Sequence, residues 1–99
     1  MTREELTRLI RDASRFGTIF YSDHCFERMD DRNVEIEDVE NVIDCGEVLR
    51  FEWDPEFENW KAEMTGVDIE GDPLSIQIAI NVDGRQATII TCHDERFKK

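Results

Sequence analysis

The hydrophobic period of the sequence changes at Gly46, and this change restricts the fold more than any other feature. Before Gly46, apolar residues recur every three or four positions, as they do along one side of a helix. After Gly46, they alternate with polar residues, as they do in strands that bury one face. Helices that come first and strands that come second are typical of an α+β fold, with the helices packed on one face of the sheet.

Three segments before the change have the marks of helices. Residues 2–14 begin with Thr2 and Glu5, which have the spacing of a capping box. Ser22 is a good N-cap for a second helix. Residues 36–45 form a third, and the glycine that follows them is expected to end it in the left-handed conformation.

Four alternating segments follow, separated by residues that favour turns. They predict a four-stranded antiparallel meander with the three helices on one face, in a single domain that spans residues 1–99. The earlier segment TIFYS is β-prone and is expected to be a strand stub or an extended linker, and the terminal ERFKK a frayed tail. The four predicted strands are EVLRFEW, WKAEMTG, LSIQIAINV and ATIITCH.

The charge of the chain limits what it binds without specific contacts. Asp and Glu number 24 and Lys and Arg number 12, so the formal net charge is −12. Such a field repels polyanions, and any binding of nucleic acid requires a local basic patch. The sequence has no apolar run that would cross a bilayer and no N-terminal signal region, so we expect a soluble, cytoplasmic protein that does not bind membranes.

The three cysteines are Cys25, Cys45 and Cys92, and their wide spacing favours reduced, mostly buried thiols. His24, Cys25, Cys92 and His93 would suit zinc by residue type. However, Cys92 and His93 are neighbours on a predicted strand and should point to opposite faces of the sheet. The sequence therefore predicts no metal site, and nothing in it indicates a cofactor.

The second helix carries the candidate site. His24, Arg28 and Arg32 recur at steps of four and share one flank, whereas Cys25, Phe26 and Met29 share the flank expected to face the core. Histidine suits proton transfer near neutral pH, and the planar fork of arginine suits phosphate oxygens.

The histidine and arginine row has two interpretations. In the first, His24 is a general acid or base in RNA cleavage, Arg28 and Arg32 bind phosphate, and His93 supplies a second imidazole. In the second, the row is a structural anchor whose arginines pair with nearby carboxylates. The carboxylates within reach are Asp31, Glu35 and acidic residues of the strands.

The pattern His24-x-x-x-Arg28-Met29-x-x-Arg32 resembles the bacterial DUF4258 family. The later elements Asp38-Val39, Gly46-Glu47-Val48 and GDPLSIQIAI resemble that family in the same order. The resemblance implies a fold related to RelE-like and MqsR-like toxins, which are ribonucleases that work without a metal and act beside an antitoxin. The sequence departs from the pattern at Asn33, where glycine is usual, and at Cys92-His93, where a tyrosine is more common.

Three functions are compatible with these observations. The first is a metal-independent endoribonuclease toxin of a toxin-antitoxin module, with RNA as substrate and an antitoxin as partner. The second is a non-catalytic protein-interaction module, either a degenerate toxin fold or a regulatory partner. The third is an acidic mimic of nucleic acid, to which the stretches EIEDVE and FEWDPEFE would contribute. An exposed edge strand of the meander would also allow a homodimer.

Overall fold

The computed structural model describes residues 1–81 and 83–94, which contain three helices and five strands. The predicted α+β class is confirmed, and so are the three helices and the four later strands, with every end that the sequence predicted correct to within two residues. Val82 and the predicted tail ERFKK lie outside the described residues. The helices are α1 (Arg3–Phe16), α2 (Asp23–Arg32) and α3 (Ile36–Cys45), and the strands are β1 (Thr18–Tyr21), β2 (Glu47–Asp54), β3 (Asn59–Val67), β4 (Pro73–Asn81) and β5 (Gln86–Asp94).

The sheet has one strand more than predicted. Part of TIFYS forms β1, which pairs in parallel with the start of β5, with Thr18 opposite Gln86 and Tyr21 opposite Ile89. The strand order is β1-β5-β4-β3-β2, so the sheet is mixed, and the prediction of a four-stranded, wholly antiparallel sheet is wrong. A four-residue segment is too short for alternation to show, and its partner lies far along the chain.

The helices cover one face of the sheet and form a single core with it. The largest fully buried side chains come from α1, α3 and strands β2 to β5, where β4 supplies a continuous apolar row. None of the described helices is long and apolar enough to cross a membrane. The buried row of β4 is Leu74, Ile76, Ile78 and Ile80.

The predicted helix starts are confirmed, whereas one predicted helix end is wrong. Thr2 and Glu5 form a capping box on α1, and the Ser22 side chain caps α2. Gly46 ends α3 with φ −87°, not in the left-handed region. The left-handed residue is Asn33 at the end of α2, with φ 57°. Asparagine tolerates this conformation better than most residues, so the departure from glycine at this position keeps the turn.

Candidate functional site

Ser22 fixes the start of α2 against β5. Its Oγ accepts a hydrogen bond from the Cys25 N–H (3.0 Å) and donates one to the Ile90 carbonyl (2.7 Å). The Ser22 N–H also donates to the Ile89 carbonyl (3.0 Å). One serine therefore caps the helix and joins it to the neighbouring strand, so the side chains of the first turn of α2 have fixed positions relative to the sheet.

The inner flank of α2 is held by Cys25 and Met29, both buried as predicted. The Cys25 thiol hydrogen-bonds to Cys92, and this bond, together with burial, raises the pKa of Cys25 well above its usual range. The thiolate is the form that attacks electrophiles and binds zinc, so both activities are disfavoured at Cys25. The prediction for Phe26 is wrong: it is 49% exposed and packs against Tyr21, with ring centroids 5.6 Å apart and the ring planes tilted by 31°.

The outer flank of α2 carries the predicted row. His24 is exposed, and Arg28 and Arg32 are half-buried. Arg32 takes part in an interaction. Arg28 forms no ion pair with any described residue, although Asp31 lies one turn away on the same helix. The row therefore contains an accessible histidine and, one turn further along, an arginine that is not neutralised by a described carboxylate.

His93 lies on the other face of the sheet from α2. It is exposed, and its neighbour on β4 is Ser75. Successive residues of a strand point to opposite faces, and Cys92 points to the side of α2, where it meets Cys25. Within the described residues, His24 and His93 form no hydrogen bond with each other. The structure therefore does not bring the second predicted imidazole to the first.

Tyr21 lies directly before the cap of α2 and is the only tyrosine of the chain. Burial raises its pKa to about 12, and the negative charge of Glu40 on α3 adds to the effect. In the unfolded chain the tyrosine ionises at about pH 10. The contribution of the buried Tyr21 side chain to the stability of the fold is therefore complete below that pH. This contribution is lost as the pH rises through about 12, where the folded tyrosine ionises.

A spectroscopic titration tests this environment of Tyr21. We expect the absorbance of tyrosinate to rise with a midpoint near pH 12, and the Glu40→Gln variant to have a lower midpoint because it removes the nearby charge. Circular dichroism recorded on the same samples shows whether the chain is still folded. A midpoint near pH 10 in a folded chain would contradict this placement of Tyr21.

Sequence reasoning missed a cleft between α1, the end of α3 and the start of β2. The cleft has a volume of about 790 Å³, and α1 lines it with arginines at helical spacing. Four carboxylates line it as well, so its formal charge is zero and its field does not attract a polyanion. The arginines are Arg3, Arg8, Arg11 and Arg15, and the carboxylates belong to Glu4, Asp12, Asp44 and Glu47.

Arg11 has a structural role in this cleft. Its Nε donates to the Ile43 carbonyl (2.9 Å) and its Nη2 donates to the Gly46 carbonyl. These carbonyls lie in the last turn of α3 and just beyond it, where a cation also interacts favourably with the helix dipole. The arginine spacing on α1 was visible in the sequence, but the partners on α3 lie more than thirty residues away.

No three histidine, cysteine, aspartate or glutamate side chains in the described ranges cluster as metal ligands do.

A family model described as Domain of unknown function (DUF4258) matches residues 21–92, which are 72 of the 99 residues. No curated protein and no solved structure matches the chain. The matched range begins at Tyr21, so it includes α2 and most of the sheet and leaves out α1.

Proposed function

Because the chain belongs to the DUF4258 family, we propose that it is a metal-independent endoribonuclease of the RelE-like toxin type, centred on the outer flank of α2. His24 is its acid-base group and Arg28 its phosphate-binding group. Arg32 contributes charge at the end of the row. His93 is left out of this centre because it lies on the other face of the sheet.

One observation carries the proposal. Arg28 is half-buried, lies one turn from His24 on the same helix, and forms no ion pair with a described residue. The chain has 24 acidic residues, and a structural anchor would be expected to use one of them. Side chains four residues apart on a helix lie about 5–6 Å apart at their Cβ atoms, a spacing that allows both groups to contact one phosphodiester.

The chemistry requires few groups. The His24 imidazole takes the proton of the ribose 2′-hydroxyl, and the 2′-oxygen attacks the phosphorus. The bond to the 5′-oxygen breaks, and that oxygen takes a proton from water. The hydroxide that remains takes the proton from His24, which restores the neutral imidazole. The Arg28 guanidinium stabilises the charge that grows on the non-bridging oxygens of the phosphorane. The products carry a 2′,3′-cyclic phosphate and a 5′-hydroxyl.

The charge of the chain restricts the substrate. The acidic residues of α2 outnumber its arginines by four to two, so the helix itself does not attract RNA over a distance. Affinity must then come from short-range contacts to one or two phosphates, which favours accessible single-stranded RNA over a long duplex. We also expect a weaker dependence on salt than basic ribonucleases show, because few counterions are released.

The direct test is cleavage of labelled single-stranded RNA by the purified chain in the presence of EDTA. We expect fragments that end in a 2′,3′-cyclic phosphate, which acid treatment opens to a 2′- or 3′-monophosphate. Induced expression should also arrest growth. Intact RNA of several sequences, together with unimpaired growth, would contradict the proposal. A contaminating ribonuclease is identified by cleavage that does not copurify with the chain through two unrelated columns.

A second candidate function has its own support in the structure. Arg32 is engaged, and His93 faces away from α2, as expected if this is a non-catalytic protein-interaction module in which the row is partly an anchor. This function predicts that RNA stays intact and that one protein partner copurifies in stoichiometric amount. RNA cleavage by the chain without a partner would exclude it.

A further inference from the structure

Strand β2 leaves a long edge of the sheet unpaired. It lies at one end of the strand order and has eight residues, whereas β1 at the other end has four. Helix α1 contacts this edge at Val48, whose N–H donates to Thr7 Oγ1 (3.0 Å). The register with β3 shifts between Val48 and Arg50, and from Arg50 to Trp53 the described residues place no hydrogen bond on the outer side of the strand. Such an edge accepts another strand readily.

The same edge carries exposed apolar side chains. Leu49 is 42% exposed and Trp53 is 40% exposed, and the Trp53 ring packs edge-on against Trp60, with centroids 5.1 Å apart. Phe51 between them is half-buried and also meets Trp60. Large apolar side chains beside an open backbone edge are typical of a surface that another chain covers.

The charges of β2 indicate that the strand that pairs with this edge is β2 of a second copy of the chain. If two β2 strands pair antiparallel about a two-fold axis at Phe51, Arg50 of each copy lies opposite Glu52 of the other, and both residues belong to the part of β2 whose register with β3 is regular. Arg50 and Glu52 are two residues apart and therefore share a face of the sheet. The dimer thus gains two pairs of opposite charges, a cross-strand arrangement that stabilises sheets.

Arg50 is available for this contact. Its Nε lies 3.0 Å from Glu63 Oε1, and its side chain is 73% exposed. A guanidinium has five N–H donors, so the ion pair with Glu63 leaves its terminal nitrogens for a second carboxylate. The net charge of −12 on each copy opposes association. At about 0.15 M salt the screening length is about 8 Å, so distant charges are screened more than pairs in contact.

We infer that the chain forms a two-fold homodimer by antiparallel pairing of its β2 edges about Phe51, which joins two five-stranded sheets into one. Sedimentation velocity over a range of concentrations tests this. The mass should rise from the 11.7 kDa of one chain toward twice that value. The Arg50→Glu and Glu52→Arg variants each place like charges in both contacts, so each should raise the dimer Kd about tenfold or more.

Mixing the two variants gives the sharpest test. A chain with Arg50→Glu has glutamate at both positions, and a chain with Glu52→Arg has arginine at both. Their equimolar mixture restores opposite charges at both contacts, so it should form a heterodimer with a Kd within a few-fold of the wild-type value. The double variant, in which the charges are exchanged, should behave likewise.

Matched controls separate this contact from a change in net charge. Arg15→Glu on α1 and Glu56→Arg in the β2–β3 turn make the same charge changes at exposed positions away from the paired residues, and should change the Kd less than about twofold. Thermal melts confirm that each variant is folded. A monomer at every concentration, a dimer that Arg50→Glu leaves unchanged, or variants that do not associate when mixed would each overturn the inference. The result does not depend on RNA cleavage, so it is distinguishable from failure of the proposed function.

Discussion

Replacement of His24 by alanine is expected to lower the rate of RNA cleavage by about 10²- to 10⁴-fold, the usual contribution of a positioned acid-base group. The side chain is exposed on α2, and the helix is held by its other flank and by the Ser22 cap. The variant should therefore unfold at the same temperature as the wild type. A loss of activity without a loss of stability assigns a chemical role to His24, whereas a parallel loss of both indicates a structural one.

Two further variants complete the test of this flank. His93→Ala removes the only other histidine of the chain, and because that residue lies on the other face of the sheet, we expect less than a threefold loss of cleavage. Arg28→Lys keeps the charge but loses the planar fork, so it should retain part of the activity that Arg28→Ala loses. A wild-type rate in His24→Ala, or equal losses in the two histidine variants, would contradict the proposed centre.

The two flanks of α2 show how far sequence periodicity predicts this molecule. The burial of Cys25 and Met29 and the outward position of His24 follow from a rotation of about 100° per residue, and the structure confirms them. Phe26 was assigned to the core by the same argument and lies half outside it. The apolar flank of a helix is wider than its contact area, and the neighbour that determines burial at its margin, here Tyr21, belongs to another element.

The features that the sequence did not predict are long-range pairings. Strand β1 forms because its four residues meet β5, and neither segment alone carries a signal of that pairing. The position of His93 depends on the same sheet, because the register with β4 decides which face each residue of β5 occupies. The role of Arg11 depends on the end of α3. Local propensity cannot contain this information, because tertiary contacts supply it.

The sequence analysis gave the wrong reason for the glycine at position 46. The sequence suggested a left-handed helix end, but its φ of −87° is open to any residue. The structure gives a steric reason. A Cβ at this position would lie 2.4 Å from the Thr65 carbonyl oxygen and 2.6 Å from the Val42 carbonyl oxygen. The chain leaves α3 directly against β3, where Gly66 faces it, and this close approach of two backbones leaves no room for a side chain.

We therefore expect Gly46→Ala to cost about 3 kcal/mol of unfolding free energy, at the upper end of what overpacking usually costs, because both contacts are with backbone atoms that cannot rotate away. In a domain of this size the melting temperature should fall by about 12–24 °C. Gly71→Ala is the matched control. Gly71 has a φ of +89° and open space around it, so alanine there meets only the conformational cost of about 1–2 kcal/mol. A melt of Gly46→Ala no lower than that of Gly71→Ala would contradict the close approach of α3 to β3, since crowding at Gly46 would then cost no more than an unfavourable φ alone.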